Sequence, residues 1–351
     1  MKDSPLSFAS DNHAPVAPRI LNAVIQANDG SAAAYGTDAL SNQARALFKE
    51  AFGRNAVAHW VFNGTAANVL ALRTLLKPWE AVICAKSSHL NLDECAAPEA
   101  IGGFKLITLE CTDGKLTADQ IETELVRKGD QHFAQPKVIS ITQPTEWGTV
   151  YTISELNALR KVCHQNELLL HIDGARLSIA AAKLDVGFED IARASGASAI
   201  SFGGTKNGLM GCEAVVLFSK EDNQSFRYLR KQFMQLPSKT RFFGAQFIAF
   251  LKHEHWRSLA EPGIALAAKL SKAIESLDHV EIVQKTEANS VFAKIPKEWN
   301  KVLKEVAFFY VWEESTNIVR WMFSFQHTEA DVQTFIDAVK QLDASHPTRA
   351  K

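Results

Sequence analysis

The stretch Ser201-Phe202-Gly203-Gly204-Thr205-Lys206-Asn207-Gly208 decides how this chain reads, together with His171-Ile172-Asp173-Gly174-Ala175-Arg176 upstream of it. Each follows an apolar run, 168–172 in one case and 199–202 in the other, so each is expected at the exit of a β-strand. In open α/β sheets ligands bind outside the carboxyl ends of the strands, which brings Asp173 and Lys206 to one edge. The interval between them has room for one helix-containing crossover. Plainer readings exist for each motif alone. Gly-Thr-Lys-Asn-Gly is ordinary turn chemistry, an aspartate is a favoured helix N-cap, and Arg176 suits the solvated face of a helix.

Outward from these motifs, helical periodicity alternates with short apolar runs from about Thr37 to Pro262. Ala44, Leu47, Phe48, Ala51 and Phe52 recur at helical spacing before Gly53. Strands are expected at 56–62, 81–85, 105–109, 138–142, 168–172, 199–202 and 214–218. Helices open at Asn63-Gly64-Thr65, at the capping box Thr117-Ala118-Asp119-Gln120, and at Ser154. That alternation implies βαβ units. Beyond Pro262 a helix to about Leu277 is followed by strands at 280–283, 290–295, 307–312 and 318–323 and a closing helix over 328–342. Two-residue alternation there suggests an antiparallel sheet with one covered face. The expected fold class is α/β: an N-terminal arm and large domain over residues 1–255, its mostly parallel sheet between helices, and a small C-terminal α+β domain over 256–351.

Composition narrows the function classes. Of 351 residues, 46% are hydrophobic and 22% charged, an ordinary globular balance. The formal net charge of −1 and the absence of a dense basic run disfavour nucleic acid and anionic membranes as partners. The start, Met1-Lys2-Asp3-Ser4-Pro5, lacks a signal peptide's apolar core, and no apolar run approaches the ~20 residues of a membrane span. Cys84, Cys95, Cys111, Cys163 and Cys212 are scattered and never spaced CxxC, which suits reduced thiols in the cytoplasm.

A lysine and an aspartate delivered to one sheet edge are the two groups that pyridoxal phosphate requires. The amine forms a Schiff base with it, and the carboxylate keeps its pyridine nitrogen protonated so that the ring accepts electrons. Asn63-Gly64-Thr65, between a strand and a helix, offers free amides and a hydroxyl to a phosphate. His89, after the strand at 81–85, suits a place over the cofactor ring or the abstraction of a hydroxyl proton, and is equally readable as a loop histidine. His89 and Asp93 have no third ligand beside them, so no metal is expected. Glu146 and Trp147 follow the strand at 138–142. A glutamate there suits contact with a substrate hydroxyl, an indole suits a pocket wall, and a plain loop suits both. Arg320 interrupts an apolar strand, either to clamp a carboxylate in bidentate fashion or to face solvent from an edge strand.

Phe8-Ala9-Ser10-Asp11-Asn12, Tyr35-Gly36-Thr37-Asp38, Phe62-Asn63-Gly64-Thr65-Ala66-Ala67-Asn68 and the two motifs quoted first resemble the L-threonine aldolases, in particular the low-specificity branch. These are pyridoxal 5'-phosphate enzymes of the aspartate-aminotransferase fold type I, grouped with β-eliminating lyases. The resemblance spans nearly the whole chain, with the motifs in order. It implies retro-aldol cleavage of L-threonine, L-allo-threonine and related β-hydroxy-α-amino acids to glycine and an aldehyde. A β-eliminating lyase or an aminotransferase would use the same lysine and aspartate.

Carried over by position, the resemblance makes Lys206 the Schiff-base lysine and Asp173 the partner of the pyridine nitrogen. His89 is stacked on the cofactor, Gly64 and Thr65 cradle its phosphate, and Thr205 and Arg176 also contact it. Arg241 reaches the phosphate from a neighbouring subunit. Ser10, Arg176 and Arg320 hold the substrate carboxylate, and Tyr35 and Asp38 lie near the site at the subunit boundary. A homodimer or homotetramer with shared sites is implied. Many family members carry a histidine in the loop that here reads Pro144-Thr145-Glu146-Trp147-Gly148, which leaves the catalytic base open between His89 and other groups.

Overall fold

The structure is a computed structural model that describes residues 6–345; the polar start Met1–Pro5 and residues 346–351 lie outside the described residues. The larger sheet has seven strands: β1 (Val57–Val61), β2 (Glu80–Ala85), β3 (Lys105–Leu109), β4 (Gln135–Thr142), β5 (Leu169–Gly174), β6 (Ala199–Phe202) and β7 (Glu213–Leu217). Their order is β1-β7-β6-β5-β4-β2-β3. From β3 across to β6 every pairing is parallel, while β7 runs antiparallel to both β6 and β1. The reversal of β7 places its first residue, Glu213, beside the last residues of the parallel strands. β6 and β7 are buried along their whole length, as expected of strands covered on both faces.

Helices cover both faces. Ala39–Phe52, Ile153–Gln165, Phe188–Ser195 and Arg241–Leu251 pack one side, where Phe48, Phe52, Phe188, Phe202 and Phe247 form a continuous aromatic cluster. Gly64–Leu75 and Lys220–Gln232 pack the other. A second sheet, β8 (Glu281–Ile282), β9 (Ser290–Lys294), β10 (Tyr310–Glu313) and β11 (Ile318–Met322), is antiparallel throughout in the order β10-β11-β9-β8. Its own core holds Trp299, Trp321, Phe309 and Phe335.

Two local expectations need correction. The helix expected to begin beyond Pro262 runs from His255 to Ile274, straight through that proline. Proline in a helix interior costs about 3 kcal/mol, which the apolar stripe Leu266, Ala267, Leu270 and Ile274 offsets by burial in the second core. The strand expected at 307–312 begins only at Tyr310, because Phe308 instead exchanges backbone hydrogen bonds with the arm, accepting from Phe8 and donating to Leu6. The helix Trp299–Val306 went unread, although its buried pair Trp299 and Leu303 stands at helical spacing.

The N-terminal arm belongs to both bodies. Phe8 is wholly buried in the second core against Phe323 and Phe335, and its carbonyl accepts the N–H of Met322 in β11. Two residues on, Ser10 and Asp11 face the larger sheet's carboxyl edge.

Candidate active site

The carboxyl ends of β1, β2, β4 and β5, the β6–β7 turn, the arm and the second sheet converge on one cleft of about 560 Å³. Ser10, Gly64, Thr65, His89, Glu146, Asp173, Arg176, Thr205, Lys206 and Arg320, each expected from sequence, all line it. A second groove of about 570 Å³ holds none of them and has only Arg19 and Lys252 as ionisable residues.

Lys206 sits in a single helical turn, Thr205–Asn207, just past β6. The two glycines before it are required by packing: a Cβ on Gly203 would collide with the Ala175 carbonyl, and one on Gly204 with the Cys212 carbonyl. The turn is thus pressed against the exit of β5, which draws Lys206 towards Asp173. Glu213, unread in the sequence, fastens the turn by accepting the N–H of Gly204 (2.6 Å) and of Thr205 (3.3 Å). Repulsion from Arg176 and burial pull the Lys206 amine below its ordinary pKa, partly offset by Asp11 and Asp173.

Asp173 is buried and does not cap a helix; its Oδ1 accepts the Ala175 N–H (3.0 Å) and its Oδ2 the Asn68 amide (2.8 Å). The same Asn68 nitrogen donates to Glu94 Oε1 (2.8 Å), which also meets His89 Nδ1 (3.0 Å). His89 is therefore the first residue of a short helix, His89–Leu92, held through its ring by Glu94. The Glu94 hydrogen bond raises the imidazole pKa against the opposing effect of burial. Glu146 accepts the His89 backbone N–H and the Thr142 hydroxyl through Oε1, both at 2.8 Å, while its Oε2 is buried with no protein partner. Burial raises the Glu146 pKa, and Asp173 adds to that rise.

Arg176 is not a solvated helix residue. Its Nε and Nη2 fork onto Asp11 Oδ2 (2.5 Å) and Oδ1 (2.8 Å), leaving Nη1 as the remaining edge for an anion. Ser10 Oγ accepts the Asn12 N–H (3.2 Å) beside this pair. Arg320 lies on β11, between β10 and β9, and so not on an edge strand. Its Nη2 donates to the Ala9 carbonyl (2.9 Å), its guanidinium sits 4.7 Å from the Trp312 ring centroid, and its Nε is buried without a protein partner. Burial, then repulsion from Arg176, lower its pKa to about 10, so it stays charged near neutrality. The indole at the cleft wall is Trp312; Trp147, expected there, packs behind it at 5.9 Å between ring centroids and against Phe292.

Three expected groups, Arg241, Tyr35 and Asp38, lie outside this chain's own cleft. Arg241 opens the helix Arg241–Leu251 and donates through Nη1 to the carbonyls of Asp29 (3.2 Å) and Gly30 (2.8 Å). Asp38 caps the helix Ala39–Phe52, its carboxylate taken by Ser41 and Thr240.

The residues present suit pyridoxal phosphate. The helix Gly64–Leu75 turns its first free N–H groups to the cleft, with Asn63 capping the Ala66 N–H, and a Cβ on Gly64 would meet no protein atom within 4 Å. That open space at a helix N-terminus suits a phosphate. Asp173 has one donor on each oxygen and so keeps lone pairs for a protonated ring nitrogen.

Comparison with known proteins agrees. Residues 7–298 match the beta-eliminating lyase family. A low-specificity L-threonine aldolase of a Pseudomonas species is 35% identical over 334 residues, covering 95% of this chain and 96% of that one. Another from Pseudomonas aeruginosa is 36% identical over 296 residues, covering 84% of this chain and 86% of its own. The solved structure of a Leishmania major threonine aldolase superposes with a TM-score of 0.92 at 30% identity, over 97% of this chain and all of that one. On these grounds the chain belongs to the beta-eliminating lyase family, whose members depend on pyridoxal phosphate.

Proposed function

We propose that this protein is a pyridoxal-phosphate-dependent aldehyde-lyase, which cleaves L-threonine, L-allo-threonine and related β-hydroxy-α-amino acids to glycine and an aldehyde. The observation that carries this reading is the meeting of Lys206 and Asp173 at one sheet edge, opposite Arg320 from the second sheet. When bound, the cofactor supplies an electron sink for the bond broken beside the substrate's amino group. Lys206 presents an amine whose proton is held loosely, as a covalent attachment requires. Arg320, with the free edge of Arg176 and the Ser10 hydroxyl, holds the substrate carboxylate. That hold fixes which bond lies in line for cleavage, a matter of orientation rather than of added binding. Nε2 of His89 takes the proton of the β-hydroxyl, and Glu146, which lines the cleft beside His89, contacts that hydroxyl. Gly64, Thr65 and Thr205 hold the phosphate end.

Release of aldehyde and glycine from L-threonine and L-allo-threonine, with added pyridoxal phosphate and a Lys206→Ala control, tests the reading. Cleavage of both, abolished in the control, is expected. Pyruvate with ammonia, or a keto acid formed only with a second amino acid, would overturn it in favour of elimination or transamination. His89→Asn is expected to lose threonine cleavage while still exchanging the α-proton of glycine.

The same reading makes the protein a homodimer or homotetramer in which Arg241 completes the phosphate site of a neighbouring copy; light scattering, and loss of cofactor affinity in Arg241→Ala, check this. Among the described residues no helix is long and apolar enough to cross a membrane and the five cysteines are unpaired, which supports a cytoplasmic setting. Division at 255/256 into a large and a small domain is supported by the helix that starts at His255 and ends in the second core.

A further inference from the structure

Behind His89 lies a buried chain of polar groups: His89 Nδ1, Glu94 Oε1, the Asn68 amide nitrogen and Asp173 Oδ2, in steps of 3.0, 2.8 and 2.8 Å. Glu94 and Asn68 are 4% and 3% exposed, too little for water to substitute for these bonds. The amide orientation is forced, because both partners of its nitrogen are carboxyl oxygens, and a flipped Asn68 would turn its carbonyl on two acceptors. Glu94 Oε1 already accepts from Asn68. Burial raises the Glu94 pKa, while the hydrogen bonds from His89 and Asn68 favour its charged form; as a carboxylate it only accepts, and the proton between Glu94 and His89 then belongs on Nδ1.

Two further features point the same way. Glu146 pins the backbone N–H of His89, so the residue is held at both ends by acids. The ionisable groups acting on the ring are Glu94, Asp173 and Lys206, with the carboxylates favouring a charged imidazole and the lysine opposing it. Asn68, donating one N–H to each acid, polarises both bonds when either partner changes charge.

We infer that Glu94 and Asn68 form a positioning relay that fixes the proton on Nδ1 of His89, leaves Nε2 free for the substrate's hydroxyl proton, and couples that nitrogen to the charge on Asp173. The inference rests on the proposed aldolase reading, in which His89 is the base and Asp173 partners the cofactor ring. Under it, the base and the cofactor's ring nitrogen do not titrate independently. A proton arriving on Nε2 is compensated first by Glu94 and then, through Asn68, by Asp173. Glu94 stands behind the cleft and Asn68 reaches its wall; both act through His89 and Asp173.

Nitrogen NMR of holoenzyme labelled at histidine, with His89→Asn used for assignment, reads the tautomer directly. Nδ1-protonated His89 is expected in the wild type, and an Nε2-protonated ring would overturn the relay. Glu94→Gln keeps both acceptor contacts but removes the charge. It should retain the tautomer, lower the His89 pKa, move the acid limb of the kcat profile to lower pH and cut kcat about tenfold with KM unchanged. Glu94→Leu should mix the tautomers and cut kcat by about 10²–10³-fold. For the coupling, the pH titration of the bound cofactor's visible absorbance should shift in His89→Asn, and by clearly less when that change is made on Asn68→Ala, which leaves only the direct effect of the ring. Equal shifts in both backgrounds, or a Glu94→Gln enzyme with an unmoved His89 titration, would refute the relay. A wild type that holds cofactor yet releases no aldehyde would defeat the aldolase reading instead, and the tautomer measurement would still judge the relay.

Discussion

Asp11→Asn is the most telling single perturbation, because Asp11 is the counter-charge of a buried arginine. The pair makes two charge-assisted hydrogen bonds, and the side chains are only 2% and 17% exposed. An amide of the same shape can accept one of these bonds and must turn its NH2 towards the guanidinium. Removing one partner of a buried pair costs about 3–5 kcal/mol, because the other charge is stranded. Against a total of roughly 5–15 kcal/mol, that is a large share of the stability. Urea unfolding of the holoenzyme at pH 7 reads it as a lower midpoint with an unchanged slope. Replacing both partners, Asp11→Leu with Arg176→Met, removes the stranded charge and should cost less than either change alone. Low pH gives an independent check. Burial pushes the Asp11 carboxyl up, but Arg176 outweighs it and holds the pKa below 3.8. Its stabilisation is therefore complete above that value and disappears as pH falls through the depressed one, so wild type and Asp11→Asn should converge in acid. A loss below about 1 kcal/mol at pH 7, of the size of a surface pair, would refute the reasoning.

Arg320→Ala should raise KM for threonine and also increase side reactions, since a carboxylate held less firmly no longer selects the bond to be broken; a raised KM with clean products would exclude that positioning role. Glu146→Gln keeps the bond to the His89 N–H and should stay within about fivefold of wild type at neutral pH. Burial lifts the Glu146 pKa above the ordinary carboxylate value, so the limb of the kcat/KM profile that its ionisation sets should be absent from the glutamine variant. Gly203→Ala must displace the Ala175 backbone and should lose about 1–3 kcal/mol together with bound cofactor, read by urea unfolding and visible absorbance. Gly64→Ala meets no protein atom; apoprotein stability should hold while the dissociation constant for pyridoxal phosphate rises.

What sequence made legible was what is local. Lys206 and Asp173 follow apolar runs directly, so strand exit and chemistry stand within a few residues of each other. The roles of Asn68 and Asp11, absent from the sequence reading, depend on distant partners. Asn68 meets Asp173 across 105 positions and Arg176 meets Asp11 across 165, separations that leave no periodic trace. Signals did exist. An asparagine among Ala67, Val69, Leu70 and Ala71 sits in the buried stripe of a helix, where an amide is disfavoured unless it has partners. The reversal of β7 left no such signal, since a buried strand reads the same in either direction. Trp147 stands in the loop beside Glu146 but packs behind the cleft, because the second sheet brings Trp312 in front of it.

The arm that buries Phe8 under β11 also has a temporal meaning. A ribosome delivers Ser10 and Asp11 first, yet the strand that receives Phe8 emerges some three hundred residues later, on the order of tens of seconds at ordinary elongation rates. Until then the arm has no partner in the second core and Arg176 has no settled counter-charge. Catalytic competence therefore waits for the end of translation, and a chain truncated before β11 would carry both signature motifs and still be inert.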